Sequence, residues 1–237
     1  MRAFVAGATG YTGREVVRLL VEAGVETVAH IRPDSASRQT WETKFPQMGA
    51  LVSLAPWTSD GIQKEFSQRP PDLVFGLIGT TRARAKEASD KNRETYDMVD
   101  YGLTALLIDA CETCQSKPSF VYLSSLGVGP ESSSSYIQAR WKVESKLSQS
   151  DLKYLIARPS FISGDGRDVP RPMERVGAVV SDGALALLGK IGFKHTQDKY
   201  TSMDNTQLAS GLVNLSLAGF EHSVVEADQI RAAVTRE

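Results

Sequence analysis

Two sets of residues in this sequence have the types and spacing for chemistry. Gly7, Gly10 and Gly13, at i, i+3 and i+6 in Gly7-Ala8-Thr9-Gly10-Tyr11-Thr12-Gly13, let a backbone approach an anion with no Cβ in the way. Tyr136 and Arg140 stand four residues apart, which on a helix is one face. A phenol, with an ordinary pKa of about 10, serves as a proton donor near neutrality only with positive charge beside it. Arg140 brings that charge, and Ser125, with Ser124 before it, offers hydroxyls to orient a carbonyl oxygen. Lys142, six residues beyond Tyr136, faces well away.

These residues need a scaffold, and the sequence predicts one that starts at the glycines. Phe4 to Ala6 reads as a short buried strand, and Arg14 to Val25 carries Val16, Val17, Leu19, Leu20 and Ala23 at near-helical spacing. The order strand, glycine turn, helix leaves free N–H groups and the positive end of a helix dipole at the turn, where a diphosphate is held. Further strands are predicted at 27–31, 51–55, 73–78, 120–123 and 152–157, with helices at 62–66, 94–114 and 136–149 between them. Alternation of this kind gives an α/β fold, a three-layer Rossmann-like doubly wound parallel sheet. Beyond it the sequence predicts a helix over 173–188, a strand over 200–203, a helix from Asp204 or Asn205 to 217, and a last strand over 223–225. About eighty residues follow the sixth strand, so 1–237 reads as one domain in which 160–200 contributes a small C-terminal substrate lid.

Open α/β sheets bind ligands at the carboxyl ends of their strands. That edge receives Ile78, Gly79, Thr80, Thr81 and Arg82 after the fourth strand, Ser124 and Ser125 after the fifth, and Arg158-Pro159-Ser160-Phe161-Ile162 after the sixth. After the second strand comes Arg32, where selection for NAD places an acid on the ribose 2′-hydroxyl and a guanidinium suits the 2′-phosphate of NADP. The cofactor expected here is therefore NADP(H). Trp57 is either a rest for the adenine ring or part of the core.

Composition bounds the remaining classes. The chain has 237 residues, 41% hydrophobic and 23% charged, with a net charge of −1, which gives no electrostatic reason to bind nucleic acid or an anionic membrane. No apolar run approaches the ~18 residues of a membrane span, and the start enters a strand directly; a cytoplasmic location is expected. Cys111 and Cys114 sit at the end of an apolar helical run without a second cysteine pair, so helix packing is the reading, and His30, His195 and His222 lack partners at metal-ligand spacing. No metal is expected. A monomer or homodimer acting on a small molecule fits the size.

Together, Gly7-x-x-Gly10-x-x-Gly13, Arg32, Gly79-Thr-Thr-Arg82, Leu123-Ser-Ser125, Tyr136-Ile-Gln-Ala-Arg140 and Arg158-Pro159 resemble the atypical short-chain dehydrogenase/reductases over about residues 1–215. Within that group the sequence is most similar to the oxidoreductases related to HIV Tat-interacting protein. The resemblance implies a Rossmann-like domain binding NADP(H), with Thr9, Gly10, Tyr11, Thr12, Arg32, Ile78, Gly79, Tyr136 and Arg140 near it and Ile162 and Arg171 completing the pocket. It also implies a lysine four residues after the tyrosine, where this chain has Arg140. Arginine supplies charge and hydrogen bonds but cannot lose its proton, so a lysine-based proton relay is absent.

Two functions follow as expectations. One is an NADP(H)-dependent oxidoreductase of small carbonyls or alcohols using Tyr136, Ser125 and Arg140. The other is a regulatory or scaffold protein that senses NADP(H) without turnover. An acyl-phosphate reductase shares the Gly-Ala-Thr-Gly-Tyr-Thr-Gly start, but it needs a thiol nucleophile, and Cys111 and Cys114 lie in the wrong element.

Overall fold

The first strand shows how this sheet is built, because every residue from Ala3 to Ala6 is buried and successive side chains enter opposite layers. Ala3 and Val5 join one apolar cluster, and Phe4 and Ala6 join the other. The computed structural model describes residues 1–79, 95–160, 162–163 and 202–234. Of the anticipated lid, only Ser160, Ile162 and Ser163 fall among them; Thr80, Phe161, Arg171, His195 and the helix expected over 173–188 lie outside.

Seven parallel strands form the main sheet: β1 (Arg2–Ala6), β2 (Glu26–His30), β3 (Leu51–Ser53), β4 (Leu73–Gly76), β5 (Ser119–Leu123), β6 (Tyr154–Arg158) and β9 (His222–Glu226). Their order is β3-β2-β1-β4-β5-β6-β9, with register pairs such as Phe4 with Val28 and with Val74. The chain order reverses between β1 and β4, the crevice where a doubly wound sheet takes a dinucleotide. A small parallel pair, β7 (Ile162–Ser163) and β8 (Met203–Asp204), lies beside it.

Helices α1 (Tyr11–Glu22), α2 (Arg38–Gln47), α6 (Asn205–Leu217) and α7 (Ala227–Val234) share one apolar cluster, built on Val16, Val17, Leu20, Trp41, Phe45, Leu208, Leu212 and Ile230. On the other face lie α3 (Ser59–Gln68), α4 (Leu103–Thr113) and α5 (Ser135–Ser148), with Ile62, Phe66, Leu107, Ile108, Val143 and Leu147. This is the three-layer Rossmann-like arrangement expected. Among the described residues no helix is long and apolar enough to cross a membrane.

Three elements depart from the sequence reading. The helix expected over 94–114 is instead a π-helical turn, Asp97–Gly102, running into α4. The extra residue in that turn shifts the helix face, so Asp100 is 0% exposed while the apolar Met98 is 50% exposed. Next, α2 occupies a segment for which no helix is predicted; its buried anchors are Trp41 and Phe45, one turn apart. The last strand continues into α7, which was not foreseen. By contrast, α6 begins where the sequence allowed Asp204 or Asn205, and the cap is Asp204, accepting from the Gln207 N–H at 2.8 Å while Gln207 Oε1 accepts from the Asp204 N–H.

Cys111 and Cys114 are buried and unbridged, and burial pushes the Cys111 thiol well above its ordinary range, which leaves it unreactive. His30 is buried at the end of β2, between the rings of Phe4 and Trp57, with Nε2 2.9 Å from the Ala55 carbonyl oxygen. Burial lowers its pKa to about 4. Folding then opposes protonation, so stability is full above the unfolded value of about 6.5 and is lost as pH falls from there toward the folded pKa. Between pH 7 and pH 4.5 the wild type should lose about 2–3 kcal/mol more than His30→Gln in urea melts; equal slopes would show that the imidazole titrates alike in the folded and unfolded chain.

Candidate functional site

The carboxyl edge of the sheet is where the sequence placed its chemistry, and the loop leaving β1 comes first. Gly7 has φ +82, and a Cβ there would meet the Leu77 carbonyl oxygen at 2.5 Å. At Gly13 a Cβ would stand 2.1 Å from the Gly7 carbonyl oxygen. Neither position has room for any other residue. Gly10 is exposed, donates its N–H to Gly7 at 2.9 Å and forms the extended cap of α1, which has no side-chain hydrogen bond on it and no acid in its first turn. The result is a helix start at the edge with no acid in its own first turn, a geometry suited to a diphosphate.

Side chains around the loop hold its shape. Arg14 Nε donates to the Thr9 carbonyl at 3.1 Å, and Asn205 Nδ2, at the start of α6, donates to the Tyr11 carbonyl at 2.9 Å. Thr12 is buried. Arg32 leaves β2 with a half-open side chain, 42% exposed, and its Nε is 3.8 Å from Asp34 Oδ1, a loose surface contact that leaves the guanidinium accessible. Arg14 and Lys44 lie over the Trp41 ring, 5.1 and 5.2 Å from its centroid. Trp57 is half-buried, packed against His30 and the apolar cluster of the α3 face.

The other half of the edge is organised by one face of α5. Tyr136, Arg140 and Glu144 recur every four residues, and the latter two are buried. Arg140 is surrounded: Nη2 is 3.1 Å from Asp100 Oδ1, and Nη1 donates to the Leu123 carbonyl and to the Tyr122 hydroxyl. The Tyr136 ring centroid lies 5.0 Å from its Cζ, and Tyr96 packs edge-on against Tyr136 at 5.4 Å. Burial would strip the proton from Arg140, but Tyr122, Tyr136 and Asp100 outweigh it and hold the cation above its ordinary pKa. Burial likewise keeps the Tyr122 hydroxyl protonated, above the usual phenol range.

Gly79, exposed at the exit of β4, sits over this pair: a Cβ there would lie 2.9 Å from Arg140 Nη2 and 3.4 Å from Asp100 Oδ1. Ile78 packs on the α3-face cluster. The two serines part company. Ser124 is buried and donates to Glu144 Oε1 at 2.5 Å, and Glu144 is in turn clamped by both Arg158 Nε and Nη2. Among the described residues Ser125 makes a long contact, 3.5 Å, to the Leu126 carbonyl. Pro159 is buried and accepts from the Leu126 N–H, tying the β6 exit to the serine loop. Ile162 packs against the cluster of the α1 face.

The structure thus brings Tyr136, Arg140, Gly79 and the serine loop together, while Arg32 stands beyond the β1 loop at the β2 end of the edge. Lys142 faces the other way, as its spacing required, pairing with Asp97 and lying over Tyr101. Asp100 and Glu144 were missed. Glu144 was legible in principle, since it continues the i, i+4 series from Tyr136; Asp100 was hidden by the π-turn.

Against this geometry, known proteins agree on the superfamily. The model of the NAD dependent epimerase/dehydratase family matches residues 3–201. A putative NAD-dependent epimerase/dehydratase from Bacillus halodurans superposes with a TM-score of 0.65 over 100% of both chains at 19% identity. The UDP-glucose 4-epimerase of Thermus thermophilus, solved with NAD, gives 0.65 over 99% of this chain and 82% of its own, at 18% identity. Among curated proteins, Protein FMP52-1, mitochondrial, of Scheffersomyces stipitis is 25% identical over 178 residues, 70% of this chain and 69% of its own. Relatives from Debaryomyces hansenii and Candida albicans carry the mitochondrial label too, which overturns the cytoplasmic location expected from the sequence. With most of its length inside the family match, the chain belongs to the NAD dependent epimerase/dehydratase family.

Proposed function

We propose that the chain is an NADP(H)-dependent oxidoreductase of the atypical short-chain dehydrogenase/reductase type, akin to those related to HIV Tat-interacting protein, acting on a small carbonyl or its alcohol. The observation that carries it is the packing of the β1 loop at the sheet's reversal point: Gly7 and Gly13 sit so close to backbone that no side chain fits, which starts α1 at the edge with Gly10 exposed as its cap. In this reading Gly7, Thr9, Gly10, Tyr11, Thr12 and Gly13 hold the diphosphate. Arg32 takes the 2′-phosphate, and Ile78, Gly79 and Pro159 border the nicotinamide half; Thr80, Phe161 and Arg171, which lie outside the described residues, are assigned to the cofactor on sequence alone. Ile162 supports that border from the core side.

A nicotinamide dinucleotide held by these residues would supply the hydride chemistry. Tyr136 gives a proton to the substrate oxygen during reduction and takes it back during oxidation. Ser125 is the hydroxyl left to orient that oxygen, since Ser124 is committed to Glu144. Arg140 stays charged beneath the phenol ring and contributes field, not proton transfer. Its Nε, buried and without an acceptor among the described residues, is the donor left for a ligand hydroxyl.

One observation favours a second reading, cofactor sensing without turnover. Both terminal nitrogens of Arg140 are already taken by Asp100, Leu123 and Tyr122, so its hold on a ligand is smaller than that of a lysine at the site's centre.

Fluorescence titration should show tighter binding of NADPH than NADH, and Arg32→Ala should weaken NADPH selectively by about 1–3 kcal/mol. Equal responses to the two cofactors would remove that role from Arg32. In a carbonyl screen following NADPH oxidation, Tyr136→Phe should lower the rate by about 10²–10⁴-fold. If the wild type is inert and Arg140→Lys creates activity, the sensing reading stands instead.

A further inference from the structure

Asp100 is a carboxylate with no exposure, set in a π-turn whose neighbours open to solvent. A charge buried that deeply persists only when paired, and among the described residues Arg140, whose side chain is 8% exposed, pairs with it at 3.1 Å. The pair is not in the middle of an apolar layer. It lies at the carboxyl edge, directly under Gly79, where a Cβ would touch both Arg140 Nη2 and Asp100 Oδ1. Asp100 pulls the guanidinium from one side, and the Leu123 carbonyl and Tyr122 hydroxyl pull from the other. A planar fork held at two ends has one orientation, and the Tyr136 ring rests on it. The π-turn is what delivers the acid: in a regular helical turn the face carrying Asp97 and Met98 would be displaced relative to it, whereas here both of those are exposed.

We propose that Asp100 is the positioning residue for Arg140 at the nicotinamide end of the cofactor site. Its carboxylate fixes the guanidinium between the Gly79 exit and the Leu123 carbonyl, so that Arg140 and the phenol above it present one arrangement to the ligand. Asp100 itself touches no ligand and acts only through Arg140. This rests on the cofactor-binding reading given above.

The test is NADPH fluorescence titration of the wild type, Asp100→Asn, Asp100→Glu, Arg140→Gln and the double variant Asp100→Asn/Arg140→Gln, each confirmed folded by thermal melt. Asp100→Asn should weaken NADPH at least tenfold, and Asp100→Glu, which keeps the charge but pushes the fork aside, at least threefold. The double variant should bind within about twofold of Arg140→Gln, because an acid that acts through the arginine has nothing left to lose once the arginine is gone. Wild-type affinity in either Asp100 single variant, or losses that multiply in the double, would overturn the proposal. Should Asp100→Asn not fold, Asp100→Glu and the neutral double variant decide in the same way. A wild type that binds neither NADPH nor NADH overturns the cofactor reading and this one with it; binding that ignores Asp100 overturns this one alone.

Discussion

The structure depends on a lack of room. Where β1 turns into α1, the chain passes so close to the β4 exit and to itself that Gly7 and Gly13 can carry no side chain. That close passage lets α1 start directly at the sheet edge, with its first N–H groups at the reversal point between β1 and β4. It also sets the distance between α1 and α6, whose Asn205 reaches the Tyr11 carbonyl. A side chain at either glycine would therefore disturb the binding edge and the packing of one whole helical layer together.

The opposite half of the edge is held by charge instead of by closeness. One face of α5 carries a phenol, a cation and an anion in succession, and both charges are neutralised by residues from other elements, Arg140 by Asp100 and Glu144 by Arg158. Buried ion pairs are weak contributors to net stability, but breaking one leaves an uncompensated charge and is costly. Such pairs suit a site because they tolerate few alternative arrangements. Here they lock the helix bearing Tyr136 to the π-turn, to the β5 exit and to β6, so the phenol has fixed neighbours even though it sits in the first turn of its helix.

Much of this was legible before the structure. The glycine loop was readable because backbone clearance dictates residue type directly, and strands β1, β4 and β5 because fully buried strands read as apolar runs. Arg140 was readable as a departure, since the i, i+4 rule linked it to Tyr136. The rest was hidden for physical reasons. Asp100 depends on a π-turn, and a pattern read at 3.6 residues per turn assigns such a residue to the wrong face. The partnership of Ser124, Glu144 and Arg158 joins three elements distant in sequence, which no local pattern reveals. Helix α2 carries only two buried anchors, Trp41 and Phe45, too few to signal amphipathicity.

The central claim is that the backbone of the β1 loop cups the diphosphate of a dinucleotide. Crystals of the protein grown with NADPH test it most directly. The account predicts density for the diphosphate against the N–H groups of residues 10–13, with the nicotinamide running toward Gly79 and Tyr136. A dinucleotide bound elsewhere on the protein, or a loop that stays closed to it at saturating NADPH, would contradict the account.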